Sequence, residues 1–307
     1  MEPADVPTVL VVGSVNQDLV LEVPGLPSTG DTVLALRGEW SQGGKGGNQA
    51  VAVAAAGVRS VLCGAVGDDA WADGLVAGLR ESGVGTGGLV HVSGSTGFAA
   101  VVVDRAGDNA IVVLPGANDA LTPERVKDRV GDLEEFDLVL LQAEIPVPTI
   151  RWVLRRAHHA GLPTVLNLAP VVEIPRADLA LASVVVVNEH EAAELLAQLS
   201  QPSQASPLTM AVQLSETLGN AVIVTRGAEG AVLADGRLVH ELDGIPVAEV
   251  VDSTGAGDAF VGTLGASLAR DGDLRQAMRD ANEAGARAVT HVGARAALPS
   301  AELHALA

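Results

Sequence analysis

Cysteine, aromatic side chains, lysine and long apolar runs are all scarce in this chain of 307 residues. Cys63 is the single cysteine, so no disulfide can form within the chain and a disulfide-stapled scaffold is excluded. Tyrosine is absent, and the tryptophans (Trp40, Trp71, Trp152) are too scattered in sequence to form a platform for stacked bases, so we read them as packing residues. No stretch approaches the roughly 18 consecutive apolar residues of a membrane-spanning helix, because Gly, Asp or Arg interrupts every Val/Ala/Leu run. Only Lys45 and Lys127 are lysines among 19 basic residues, which face 38 acidic ones. The net charge of −19 repels polyanions and argues against nucleic acid or an anionic membrane surface as partner. A phosphate-bearing ligand must therefore be met by local devices. The acidic start Met1-Glu2-Pro3-Ala4-Asp5 lacks the basic region of a signal peptide, and with one cysteine this leads us to expect a cytoplasmic protein.

With 48% hydrophobic residues, disorder is excluded as a global description, and the length suits two small domains or one large α/β domain. Short apolar runs at 8–13, 60–63, 138–141, 164–168, 183–187 and 221–225 read as buried strands. Ala/Leu-rich stretches of helical length at 48–56, 70–82, 149–160, 189–199 and 208–218 fall between most of them. This alternation predicts a parallel sheet covered on both faces. Segments 19–38 and 98–114 break the rhythm, since neither has room for a crossover helix. The second reads as a hairpin, and together they predict a small antiparallel sheet, with strands at 19–23, 33–36, 98–103 and 110–114, projecting as a lid. Segment 201–207 reads as a surface loop.

Three clusters carry chemistry. In Asp252-Ser253-Thr254-Gly255-Ala256-Gly257-Asp258, small residues open a helix that runs to about Arg270 and leave backbone N–H groups free as an anion site. Asp258 is either a catalytic carboxylate there or an ordinary first-turn acid favoured by the helix dipole. Gly43-Gly44-Lys45-Gly46-Gly47-Asn48-Gln49-Ala50 also precedes a helix. It is no Walker A loop, because Gly46 follows the lysine and Glu39 stands where the first glycine belongs. It is either a flexible loop or a place where backbone, Lys45 and Asn48 meet the hydroxyls of a small ligand. Gly13-Ser14-Val15-Asn16-Gln17-Asp18 ends the first strand, where α/β sheets bind ligands, and it lacks the dinucleotide fingerprint G-x-G-x-x-G. Asn16 and Asp18 there serve either sugar hydroxyls or a turn. His158-His159 and His190-Glu191 lack partners at ligand spacing, so no zinc site is assigned, and Cys63 reads as a small buried hydrophobe.

The order of these clusters, with Gly67-Asp68-Asp69, Gly116-Ala117-Asn118, Gln142-Ala143-Glu144-Ile145-Pro146, Asn167-Leu168-Ala169-Pro170, Asn188-Glu189-His190-Glu191, Thr225-Arg226-Gly227 and Gly293-Ala294, resembles the ribokinase/PfkB carbohydrate kinase family over nearly the whole chain. The resemblance implies a three-layer α/β/α sandwich with a small antiparallel β-sheet lid, formed as one domain over 1–307. It implies phosphorylation of a primary hydroxyl by ATP, with D-ribose as the expected sugar, Asp258 as general base and Gly255, Ala256 and Gly257 as an anion hole. Sugar contacts carry over to Asn16, Asp18, Gly44, Lys45, Gly46, Gly47, Asn48 and Glu144. Nucleotide contacts carry over to Asn188, Thr225, Arg226, Gly227, Ala228, Glu229, Gly230, Gly257, Asp258 and Asn282. Glu191 is expected to act on Mg²⁺ through water, or else to be a solvated helix residue, and Asn282 could equally be a surface amide. A K⁺ site maps to Asp252, Thr254, Ala288, His291, Gly293 and Ala297, where Ala297 departs from the hydroxyl residue common in the family. A homodimer clasped through the lids is expected on the same likeness.

Overall fold

The computed structural model describes residues 6–105, 109–201, 205–236 and 238–295. The chain opens with strands β1 (Thr8–Val12), β2 (Asn16–Glu22) and β3 (Arg37–Gly43), then helix α1 (Lys45–Ala55), β4 (Arg59–Cys63), β5 (Ala65–Val66), α2 (Ala72–Glu81), β6 (Val84–Gly85) and β7 (Val90–His91). There follow β8 (Gly97–Val103), β9 (Asn109–Leu114), α3 (Pro123–Val130), β10 (Leu138–Gln142), α4 (Val147–His159), β11 (Thr164–Asn167), α5 (Arg176–Leu179) and β12 (Val184–Asn188). The rest comprises α6 (Glu189–Gln198), α7 (Pro207–Leu218), β13 (Ala221–Thr225), β14 (Ala231–Asp235), β15 (Leu238–Leu242), α8 (Ala256–Asp271) and α9 (Leu274–Ala288).

The large sheet runs in the order β15-β14-β13-β12-β11-β10-β1-β4-β6, parallel from β6 to β13 and antiparallel over the last two pairings. Strand β1 shows why its sequence is continuously apolar. Leu10 and Val12 enter a core shared with α4, α6 and α7, while Val9 and Val11 enter a second core shared with α1, α8 and α9. A strand buried on both faces cannot alternate apolar with polar residues. The chain leaves β1 toward β4 and β6 on one side and returns at β10 on the other, so the gap between the carboxyl ends of β1 and β10 is a topological switch point, where such sheets bind ligands.

The smaller sheet runs β3-β2-β8-β9. Its outer pairings are antiparallel, but β2 and β8 run parallel, which corrects the wholly antiparallel expectation. The strand expected at 33–36 also falls elsewhere. That stretch carries no strand, Leu34 and Leu36 are exposed, and the partner of β2 is Arg37–Gly43. The cause is tertiary: Gly43 directly precedes the Gly44 cap of α1, so the chain must reach that point opposite Asn16, and the register is counted back from there. No helix among the described residues is long and apolar enough to cross a membrane.

The tryptophans are not all isolated. Trp40 on β3 stacks on Trp71, just before α2, with ring centroids 4.6 Å apart, and Phe98 lies 6.1 Å from Trp40. This pair ties the smaller sheet to the start of α2. Denaturant unfolding of Trp40→Leu, Trp71→Leu and the double variant should reveal a coupling of about 0.5–1 kcal/mol, the low end for aromatic pairs because both rings are part-exposed. Additive losses would show that the stack contributes nothing to holding the two parts together.

Candidate active site

Four helices begin with a side-chain cap: Thr122 for α3, Asn188 for α6, Ser206 for α7 and Asp273 for α9 each accept from a backbone N–H in the first turn. Helices α1 and α8 do not. Their caps are Gly44 (φ 83°) and Gly255 (φ 77°), with no side-chain acceptor. Both positions demand glycine, since a Cβ on Gly44 would stand 2.7 Å from the Asn16 nitrogen and one on Gly255 2.5 Å from Ala294 Cα. Helices α2, α4 and α5 also start without a side-chain cap, but among the described residues only α1 and α8 are led by a glycine at positive φ, and their starts carry the glycine clusters.

The first cluster is stitched to the end of β1. Gly46 and Gly47 N–H groups donate to Ser14 Oγ (3.3 Å) and the Ser14 carbonyl (2.9 Å). Glu144, just beyond β10, accepts from Ser14 Oγ at 2.6 Å and from the Lys45 N–H at 3.2 Å. Asn118 fixes the opposite wall, accepting from the Val15 N–H and donating to Asn16 Oδ1 at 2.7 Å. Across the switch point, the buried Asp258 carboxylate accepts from Asn48 Nδ2 on one oxygen and Gln49 Nε2 on the other, both at 3.0 Å. Gln49 is itself held by Gln142 Nε2 at 2.7 Å and donates to Asn167 Oδ1 at 3.1 Å. Thus α1, α8, β10 and β11 meet through one amide network around Asp258.

Asp18, like Gln142 at its Oε1, is an unsatisfied member. Its Oδ1 is buried without a hydrogen-bond partner, the expected state of an acceptor awaiting a ligand hydroxyl. Burial, then the nearby Glu144, push its pKa up to about 6; Arg295 pulls it down and Asp258 adds a smaller rise. Burial disfavours the charge of Lys45, yet Asp258, Glu144 and Glu191 outweigh it and hold that ammonium above its ordinary range.

Beside the α8 terminus lies a cavity of about 380 Å³ lined mostly by apolar side chains and glycine backbone. Thr225, Gly227, Ala228, Gly230, Gly257 and Asn282 of the expected nucleotide residues line it, and a Cβ on Gly257 would meet nothing within 4 Å, so there is open space against its backbone. Asn282 is no surface amide: it lines the cavity and donates to the Asp243 carbonyl at 2.9 Å. Arg226, Glu229, Asn188 and Asp258 are not among the lining residues. The Arg226 side chain instead bonds the Glu229 and Leu242 carbonyls, and Asn188 with Glu191 forms the capping box of α6. Burial raises the Glu191 pKa, against the Asn188 N–H and Lys45, which lower it.

Asp252 organises the remaining loop. Its two oxygens accept from the Thr254 and Gly293 N–H groups, both at 2.8 Å, and these bonds hold its pKa below the usual range against the effect of burial. The Val289 carbonyl accepts from the Val251 N–H, so 252–254 and 288–293 are neighbours, and the Ala288 carbonyl accepts from the His291 N–H at 3.2 Å. Ala297 lies outside the described residues. No group of three His, Cys, Asp or Glu side chains converges among the described residues. Cys63 is buried and unpaired, its thiol pushed up to about 12 by burial.

A model of the pfkB family carbohydrate kinases matches residues 6–301. The chain belongs to the pfkB family of carbohydrate kinases. Ribokinase of Bacillus subtilis (strain 168) is 35% identical over 295 residues, 95% of this chain and 96% of its own. The crystal structure of ribokinase from Thermotoga maritima superposes with a TM-score of 0.85 at 30% identity, covering 95% of this chain and 96% of that one. Arabidopsis thaliana ribokinase complexed with ribose and ATP superposes at 0.84 with 29% identity, covering 96% of each. The chain is accordingly a sugar kinase that uses ATP, and family membership implies Mg²⁺ as well.

Several pocket residues had no assigned role in the sequence. Gln49, Gln142 and Asn167 sit inside motifs that mark the family, but only the folded network shows that they hold Asp258. Arg295, next to Gly293-Ala294, reaches the start of α1, donating to Asn48 Oδ1 at 3.0 Å, and burial draws its pKa down to about 10 against the pull of Asp18 and Asp258.

The raised Asp18 pKa has a definite sign. Unfolded, the group titrates near 3.8; folded, near 6, so its stabilising contribution is complete below about pH 4 and lost as pH rises through 6, roughly 3 kcal/mol in all. A sugar hydroxyl donating to Asp18 favours the anion and lowers the pKa again. Calorimetry in two buffers of different ionisation enthalpy should therefore show proton release on sugar binding near pH 5 and little at pH 8, with the release abolished in Asp18→Asn. Binding without proton release at pH 5 would place the sugar away from Asp18.

Proposed function

We propose that this kinase transfers the γ-phosphoryl group of ATP to the 5-hydroxyl of D-ribose, giving D-ribose 5-phosphate and ADP. The observation that carries the reading is the Asp258 carboxylate, held by Asn48 and Gln49 in the first turn of α8, between the cavity and the sugar-side cluster that contains the orphan oxygen of Asp18. Asp258 accepts the proton of the 5-hydroxyl as that oxygen attacks phosphorus and the bond to the ADP oxygen breaks. The N–H groups of Gly255, Ala256 and Gly257 receive the charge on the phosphoryl oxygens. Asn16, Asp18, Asn48 and Glu144 offer directional partners to the hydroxyls, with Gly44, Lys45, Gly46 and Gly47 forming the floor. Thr225 through Gly230 and Asn282 hold the nucleotide, with Arg226 bracing that loop.

Mg²⁺ neutralises phosphate charge when bound; Glu191, beyond its capping role, would reach it through water. K⁺ would be held by Asp252, Thr254, Ala288, His291 and Gly293, largely through carbonyl oxygens, with Ala297 supplying none from its side chain. We further propose that the smaller sheet is a lid and that two lids pair in a homodimer, since Ile111 to Leu114 on its edge strand β9 are all exposed. Another pfkB-type substrate, such as deoxyribose, fructose or a nucleoside, is the competing reading.

Following ADP release with ATP, Mg²⁺ and a panel of ribose, 2-deoxyribose, fructose and adenosine tests the function. The highest kcat/KM is expected with ribose, in K⁺ above Na⁺ at matched ionic strength, from a species that light scattering sizes as a dimer. A clear preference for another acceptor would overturn the ribose assignment; equal rates in both salts, or an active monomer, would remove the cation site or the clasp.

A further inference from the structure

One guanidinium in the pocket is spent on three neutral acceptors. Arg295 donates from Nε to Asn48 Oδ1 (3.0 Å), from Nη1 to Gln42 Oε1 (2.7 Å) and from Nη2 to the Gly43 carbonyl (3.1 Å). These belong to α1 and β3, whereas Arg295 is delivered by the loop that the Gly293 N–H anchors to Asp252 and that Ala294 packs against Gly255. The side chain passes close over Gly47, where a Cβ would stand 2.5 Å from Nη2.

The consequence falls on Asn48. Its amide nitrogen donates to Asp258 and its amide oxygen accepts from Arg295. A carboxamide is nearly symmetric in shape, so only its partners decide which way it faces. With an anion on one side and a cation on the other, reversal would set oxygen against carboxylate and NH₂ against guanidinium, two repulsive contacts for two attractive ones. Gln42, the second acceptor, passes its own amide N–H to the Gly74 carbonyl in α2 at 3.0 Å, so the same fork also fixes the end of β3 beside the sugar-side loop.

We propose that Arg295 is a positioning residue of the sugar site, which sets the sense of the Asn48 carboxamide and thereby aims its N–H at Asp258. This rests on the kinase reading for its effect on turnover, but not for its effect on Asn48. Arg295→Met keeps the aliphatic stem and removes the fork. We expect kcat/KM for the sugar to fall ~10- to 100-fold with the KM for ATP within about twofold. In an Asn48→Ala background the same change should cost less than about threefold, because its target is gone.

Independently of catalysis, the two Asn48 side-chain N–H resonances, assigned by their loss in Asn48→Ala, should be distinct and slow to exchange in the unmodified protein, and shifted with faster exchange in Arg295→Met. Losses that multiply in the double variant, or unchanged Asn48 resonances, overturn the proposal. If Arg295→Met does not fold, Arg295→Lys, which keeps charge without the planar fork, takes its place in both measurements with the same expectations. Absence of ADP release from the unmodified protein would count against the kinase reading alone, and the resonances would still decide the role of Arg295.

Discussion

The structure turns on holding one buried carboxylate, that of Asp258, inside the protein. Taking a carboxylate out of water costs several kcal/mol unless hydrogen bonds replace the lost hydration. Asp258 meets that demand with one amide donor on each oxygen, both from α1. Helices α1 and α8 must then lie close together, and they do: a Cβ on Gly262 would stand 2.5 Å from Ala52 Cβ and 2.6 Å from the Gln49 carbonyl. The amides need support in turn, which Gln142 and Asn167 give from the carboxyl ends of β10 and β11. A demand made by one side chain thus fixes which strand ends, which helix starts and which glycines surround the switch point.

The same economy governs charge. In a chain at −19, phosphate cannot be drawn by the global field, so under the proposed function that work falls to backbone N–H groups at the glycine-led start of α8. Cations are placed singly where carboxylates gather. Lys45, one of two lysines, sits among Asp258, Glu144 and Glu191, while Arg295 balances Asp18 and Asp258. Asp18 combines a buried oxygen that has no partner with a raised pKa.

Much of this was legible from residue order. Apolar runs bounded by glycine marked the parallel strands, because a doubly covered strand leaves that pattern, and the glycine clusters marked the starts of α1 and α8. What escaped was set by contacts far apart in sequence. Strand β3, Arg-Gly-Glu-Trp-Ser-Gln-Gly, has little strand propensity of its own and exists because β2 and α1 dictate its register. The Trp40–Trp71 stack joins residues that no periodicity links. Asn188 and Glu191 carried a double signal, since N-x-x-E is also a helix cap, and that is the role their hydrogen bonds show. The reach of Arg295 to the start of α1 depends on where its loop lies against Gly255, which no local pattern encodes.

The central claim is that Asp258 is a base and not merely the anchor of the amide network. Asp258→Asn keeps the shape, and single-turnover measurement of phosphoryl transfer, paired with direct measurement of sugar binding, separates the two roles. Our account predicts a loss of ~10²–10⁴ in the transfer rate with sugar affinity changed far less. Transfer at close to the unmodified rate would contradict it.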